Sequence, residues 1–388
     1  MSRVSPDQRM PIGEVADLIR VGEPLPFRVL DALERLLLNE GQVIASERQM
    51  EVLKERGAWV ERSLVMEQRE RLSRAPGAGR SGVARVVTLF DRWERQLWEL
   101  DALLRRTLKG QHQADEWAAE VDAVRALVDR DADVALFMAV RQDDRRFALY
   151  PQAHALHAAV VVLLAARALG WAPERQRSLV GAALSMNVAM LELQAAMAEQ
   201  DEPPTQRQLD VIRAHPEAGV RLLQAVGIDD AAWLQAVTEH HERADGSGYP
   251  GGRVQVGDEA RLLRMADVYM AKITPRAKRP PLAPQLASRQ LFQAESGSPL
   301  AMSMIKAIGI HPPGALVQLK SGEVAVVKRR GTGPAPRVCT LSDARGHPSV
   351  QSRELDSAEP AHAIAGPAAD TAAYARVPGE RVYGLLLA

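Results

Sequence analysis

Cysteine is nearly absent: the 388-residue chain holds one, Cys339. A single thiol excludes an internal disulfide framework and fits a reducing compartment. Aromatic residues are scarce, at 4% of the chain, which leaves the core to aliphatic side chains. Net charge is absent too, because 49 acidic residues balance 49 basic ones. That balance argues against a life on nucleic acid or on an anionic membrane, where a basic surplus carries the attraction. Long apolar runs are also missing. The most apolar stretch, residues 155–169, carries His157 and Arg167 and falls short of the roughly 20 residues that span a bilayer. Residues 1–10 are polar, without the apolar centre of a signal peptide. The expectation is a soluble, cytoplasmic protein of two or three domains, with neither nucleic acid nor membrane as partner.

What is present divides the chain into parts. Residues 11–70 read as a small accessory module of mixed strands and helix. Strand-like runs at 27–30 and 35–38 precede a helix over 46–56, with Ser46 as N-cap and Gly57 as C-cap. Residues 71–82, rich in Gly, Ser, Ala and Arg, read as a linker. A helical connector follows over 83–148. There Val86, Leu89, Phe90, Trp93, Leu97, Leu100 and Leu104 form one stripe, and Trp117, Val121, Val124 and Val128 a second. Such stripes serve a core or, equally, the seam of a homodimer, and the sequence does not choose.

Residues 149–311 read as all-α, with helices over 150–169, 176–197, 205–225, 231–241 and 259–274. No alternation of strands and helices suggests a parallel sheet. Residues 312–388 turn β-rich: a hairpin at 315–319 and 324–327, a third strand at 337–341, a fourth at 381–387, and loop over 357–377. The fold class is mainly α: a helical bundle with a small mixed N-terminal module and a small β-rich tail.

The densest chemistry lies in residues 240–252, His-His-Glu-Arg-Ala-Asp-Gly-Ser-Gly-Tyr-Pro-Gly-Gly. Two adjacent imidazoles end a helix and open into a loop whose Asp-Gly and Gly-Tyr-Pro steps fix its backbone. His241 is followed by Glu242, Asp245, Gly248, Tyr249 and Pro250, for which turn chemistry alone is the competing explanation. This string resembles the signature of the HD-GYP family, bacterial phosphodiesterases of cyclic di-GMP. The resemblance extends over residues 150–327, including His-Pro-x-x-Gly at 215–219 and Ala-Asp-x-Tyr at 266–269.

The resemblance implies an HD-type helical fold whose histidines and aspartates hold two or three divalent metals. By position it assigns ligand roles to His154, His215, His240, His241 and Asp267, and phosphate contacts to Arg276 and Arg279 within a basic stretch that also holds Lys272 and Lys278. His157 and His311 have no place in the pattern and read as structural. The motif that names the superfamily is broken: Met186 stands for the ligand histidine, Asn187 for the bridging aspartate and Met190 for the lysine, and Tyr150 occupies a position held by glutamate in some members. An amide cannot supply the charge of a bridging carboxylate, and a thioether is a poor ligand for iron or manganese. The resemblance therefore implies at most one divalent metal, iron or manganese, rather than a complete bimetallic centre. The expected protein is a degenerate cyclic di-GMP sensor or partner-binding regulator with no catalytic residues. Two alternatives stand beside it: a weak one-metal phosphodiesterase, and a scaffold docking a diguanylate cyclase domain through the Gly-Tyr-Pro loop.

Overall fold

Short strands open the chain. In the computed structural model, which describes residues 8–74, 87–141, 146–277, 279–331, 333, 335–349, 352–369, 374, 377–384 and 386, β1 (Arg9–Pro11), β2 (Val29–Leu30), β3 (Leu36–Leu38) and β4 (Trp59–Glu61) form an antiparallel sheet in the order β1-β4-β2-β3. The two strand-like runs become β2 and β3. β1 and β4 are three residues each, too short for an alternation to register in sequence. Helix α1 (Glu47–Glu55) starts as expected, with Gln49 N donating to Ser46 Oγ at 3.1 Å. Its C-cap is Arg56, and Gly57 follows at φ +63°, a conformation glycine adopts without a Cβ clash. Helix α2 (Arg62–Arg74) takes up residues 71–74 of the expected linker, and residues 75–82 lie outside the described residues.

The connector is helical: α3 (Leu89–Leu108), α4 (Ala114–Arg130) and α5 (Ala132–Val140). Thr88 and Asp91 close a capping box at the start of α3. Leu89, Phe90, Trp93, Leu97, Leu100 and Leu104 of the first stripe and all four residues of the second are buried within the chain. They are core here. Val86 lies outside the described residues.

The helical block comprises α6 (Tyr150–Ala168), α7 (Pro173–Ser185), α8 (Leu191–Glu199), α9 (Gln206–Ala225), α10 (Ala231–Glu239), α11 (Asp258–Ile273), α12 (Pro284–Ala294) and α13 (Pro299–Ile308). The single helix expected over 176–197 is two helices, broken at Met186 and Asn187 by a 3-10 turn over Val188–Met190 that packs on α9. No proline or glycine marks that break; tertiary packing imposes it, with Met186 fully buried. Helix α10 ends at Glu239, so His240 and His241 sit just beyond it. Helices α12 and α13, unmarked by the periodicity, each begin on a proline, a residue suited to a first turn. Phe147–Ala168 and Pro173–Glu199 are long and apolar enough to cross a membrane by composition, and both are mostly buried inside the fold, as core helices are.

Two close contacts tie the block together. Asp101 on α3 is fully buried and accepts from Arg56 at 3.0 and 3.1 Å, from Arg105 at 3.1 and 3.2 Å and from Gln152 on α6, while Arg56 also donates to the Ala148 carbonyl. Trp233 at the start of α10 lies flat on α7 and donates from Nε1 to Ser185 Oγ at 2.8 Å. A Cβ on Gly181 would meet that indole at 2.4 Å, so the approach depends on its absence.

The tail forms a second antiparallel sheet from β5 (Leu316–Leu319), β6 (Val324–Arg329), β7 (Arg337–Thr340), β8 (Glu354–Asp356) and β9 (Ile364–Pro367), ordered β8-β7-β6-β5-β9. Strand β9 falls within the expected loop of 357–377, where pairing with β5 stabilises a segment too rich in alanine and proline to read as strand. The strand expected at 381–387 is corrected: Arg381, Val382 and Tyr383 belong to helix α14 (Gly379–Tyr383), and residues 385 and 387 lie outside the described residues. One hydrophobic core runs from Met10 through all the helices to Val382, and a smaller one sits within the tail sheet.

Candidate metal centre

Two helices bring the histidines together. Ring nitrogens of His215 on α9 and of His240 and His241 after α10 lie within 4.8 Å of one another. The reason begins in the backbone. Pro216 sits inside α9 and has no N–H for the carbonyl four residues before it, Ile212. His215 Nδ1 takes that carbonyl instead, at 2.6 Å. His240 Nδ1 likewise meets the Val237 carbonyl at 2.6 Å, in the last turn of α10, where helical carbonyls run out of partners. A carbonyl only accepts, so each Nδ1 carries the proton and each Nε2 presents a bare lone pair.

Those two Nε2 atoms stand 3.2 Å apart. Lone pairs at that distance repel unless a positive charge lies between them. Burial, with the neighbouring His240, pushes the His215 imidazole down to about 3, and burial lowers His240 and His241 as well, so a proton is a poor answer at neutral pH. A metal ion is a good one. Neighbouring nitrogens on a cation with bonds of about 2.1 Å stand about 3.0 Å (octahedral) to about 3.4 Å (tetrahedral) apart. The donor set of this cluster therefore fits a transition metal.

The other two expected ligands face each other. His154 on α6 and Asp267 on α11 are joined by a 2.7 Å hydrogen bond from Nε2 to Oδ1. Burial opposes charge on Asp267, yet the His154 bond and the nearby imidazoles of His241 and His240 hold its carboxyl well below the usual carboxylate range. His154 Nδ1 is buried and unpartnered. Of the five, three converge as a ready donor set and two are engaged with one another beside it.

The broken motif lies at the α7–α8 break. Asn187 is buried, and neither its amide oxygen nor its nitrogen has a partner. Met186 is fully buried and Met190 half-buried.

The loop after the histidines is held by its own atoms. Glu242 is buried and accepts from the Gly251 and Arg253 amides at 2.6 and 2.9 Å, and Asp245 accepts from Ser247 N at 3.0 Å and Oγ at 2.6 Å. Gly248 passes so close to the preceding strand of chain that a Cβ would lie 2.4–2.6 Å from backbone atoms of residues 241–243. This places Tyr249 over the cluster: its ring stacks on His241, centroids 4.6 Å apart, with Pro250 following through a cis bond. Glu242 and Asp245 thus serve turn geometry, while Tyr249 touches the candidate ligands.

Arg276 is half-buried and donates to Tyr150 Oη at 2.8 and 3.2 Å, and Tyr150 in turn stacks on His154 with centroids 5.7 Å apart. That Tyr150 joins the arginine to the ligand helix was invisible in sequence, where it registered only as a missing glutamate. Arg279 is exposed, its guanidinium bonded to the Ala271 carbonyl; Lys278 lies outside the described residues. His157 is half-buried on α6, and His311 lies in a connector after α13.

Residues 142–298 match the family described as HD domain. Two curated proteins resemble it. The cyclic di-GMP phosphodiesterase PA4108 of Pseudomonas aeruginosa is 31% identical over 158 residues, 39% of this chain and 38% of that protein. The cyclic di-GMP phosphodiesterase response regulator RpfG of Xanthomonas campestris pv. campestris is 30% identical over 119 residues, 29% of this chain and 31% of that protein. The chain thus spans 38% of the length of the first relative and 31% of the second. Among solved structures, Bd1817, an HD-GYP-type protein from Bdellovibrio bacteriovorus, aligns with a TM-score of 0.49 at 15% identity, covering 77% of this chain and 97% of its own.

Proposed function

We propose that this chain is a cyclic di-GMP signalling protein whose HD domain holds one divalent metal and binds the dinucleotide without hydrolysing it efficiently. One juxtaposition carries the reading: three imidazoles converge as a donor set while the bridging-aspartate position is the neutral, buried Asn187. Two cations a few ångströms apart repel strongly without a shared carboxylate. His215, His240 and His241 would hold the single ion, with Asp267 supplying negative charge beside it. When bound, such an ion would polarise a phosphodiester oxygen and lower the pKa of a water. Arg276, oriented by Tyr150, and the exposed Arg279 would meet the two phosphates as planar donor forks. Tyr249 would offer an aromatic face over the site. In this reading residues 149–311 are the nucleotide unit, 11–70 the input module, and the site of action is the cytoplasm.

The test is elemental analysis of the purified full chain, calorimetry with cyclic di-GMP, and a hydrolysis assay under iron or manganese. We expect no more than one metal per chain, saturable dinucleotide binding, and no turnover above a His240→Ala, His241→Ala control. Clear turnover that the double variant abolishes would replace this reading with the one-metal phosphodiesterase, which the ionised Asp267 beside the cluster favours as runner-up. Absence of dinucleotide binding with and without metal would leave the loop as a docking element for a cyclase domain. The triple change Met186→His, Asn187→Asp, Met190→Lys should raise metal uptake.

A further inference from the structure

A second cavity, apart from the histidine cluster, lies where the N-terminal module, the connector and the HD domain meet. It measures about 230 Å³, too small for a cyclic dinucleotide, and its walls include Gln42, Glu94, Arg141, Arg146, Tyr150 and His157. Among the described residues, the charges on these walls do not cancel. Glu94 is satisfied by Arg146, which grips both carboxylate oxygens at 2.7 and 2.9 Å, and by Trp98 Nε1 at 2.9 Å. Arg141, just past α5, has Nε and one terminal nitrogen buried with no hydrogen-bond partner, and no salt bridge to it occurs among the described residues. Burial alone lowers its guanidinium to about 10, still charged at neutral pH. A buried guanidinium without a counter-charge is costly, and arginine's planar fork matches a carboxylate or a phosphate. His157, another lining residue, adds a further buried, unpartnered nitrogen, Nδ1.

We infer that this cavity is a binding site for one small anionic group, a carboxylate or a phosphate, held by Arg141. The site is independent of the nucleotide reading. Tyr150 lines it and also stacks on His154, so its occupant would sit one ring away from the metal centre.

The experiment is calorimetry on the full chain in a chloride buffer, titrating inorganic phosphate and, separately, acetate, which tells the two sources of the group apart. We expect saturable one-site binding of at least one anion, with a rise in Tm. The His240→Ala, His241→Ala variant should bind equally well, which separates this site from the metal centre. Arg141→Met should bind about ten-fold more weakly or not at all, and its Tm should no longer respond to the anion. If Arg141→Met does not fold, Arg141→Lys decides: it keeps the charge but not the fork, and should bind more weakly than the wild type. No saturable binding of either anion up to tens of millimolar would overturn the inference. So would undiminished binding in the Arg141 variants, or loss of binding in the histidine variant.

Discussion

Tyr249 lies nearly parallel on His241, with ring planes 26° apart and centroids 4.6 Å apart. A stacked pair of this kind contributes about 0.5–1.5 kcal/mol beyond the area it buries. Tyr249→Phe should retain it, whereas Tyr249→Ala, which also loses the ring's buried area, should lower stability by at least that amount and loosen His241. Urea unfolding of both variants, read beside metal content, checks this. Equal stability of the two would mean that the stacking contributes nothing.

Pro216→Ala should leave α9 intact or slightly firmer, because the new N–H can take the Ile212 carbonyl. That same bond competes with His215 Nδ1, which now uses the carbonyl to orient its ring. Losing an outer partner of a metal-binding imidazole typically weakens affinity by about 10–100-fold. A competitive chelator titration should show this loss without a fall in Tm. Unchanged affinity would show that the carbonyl does not orient His215.

Asp101→Ala should be among the most damaging substitutions in the chain. It would strand Arg56, whose side chain is 4% exposed, and strip Arg105 and Gln152 of their shared acceptor. Removing one partner of a buried pair costs about 3–5 kcal/mol. Denaturant unfolding provides the number, and a loss below about 1 kcal/mol, the scale of an exposed pair, would contradict the role given to it.

Glu120 sets a pH dependence. Burial raises its carboxyl to about 7, partly offset by the Gln96 hydrogen bond, while Glu99, Arg48 and Arg106 act more weakly from nearby. A carboxyl raised on folding binds more protons in the folded state, so its contribution is full below the unfolded value of 4.5 and fades as pH rises through about 7. Glu120→Gln should flatten the fall in Tm across that window. A variant whose Tm falls as steeply as the wild type between pH 4.5 and pH 7 would remove Glu120 as the cause.

Local signals in the sequence were legible where they act alone. Ser46 begins a helix because its hydroxyl meets an orphan amide, and the Trp93–Leu97–Leu104 spacing marks a buried face because side chains recur with the helical turn. The histidines were legible because two adjacent imidazoles beside Gly248-Tyr249-Pro250 form a rare string, and the structure brings three of the expected ligands together. What stayed hidden depends on partners distant in the chain. The break at Met186 follows from packing on α9, β9 exists through pairing with β5, and Tyr383 turns helical in a contact with Phe137 and Phe90. Nothing in the sequence sets Arg141 apart from the chain's other arginines. Only the fold reveals that two of its nitrogens point away from water.

The contact between Gly181 and Trp233 makes the histidine cluster sensitive to a hydrogen atom far from it. Because no methyl separates α7 from the indole, α10 rests at one depth against the bundle, and the histidines at its far end inherit that depth. An alanine at 181 would act as a shim. It would push the start of α10 outward and, through a rigid rod of nine residues, move His240 relative to His215, whose nitrogens now stand 3.2 Å apart. The precision of the ligand cluster is thus stored at the other end of the helix, in a space left empty.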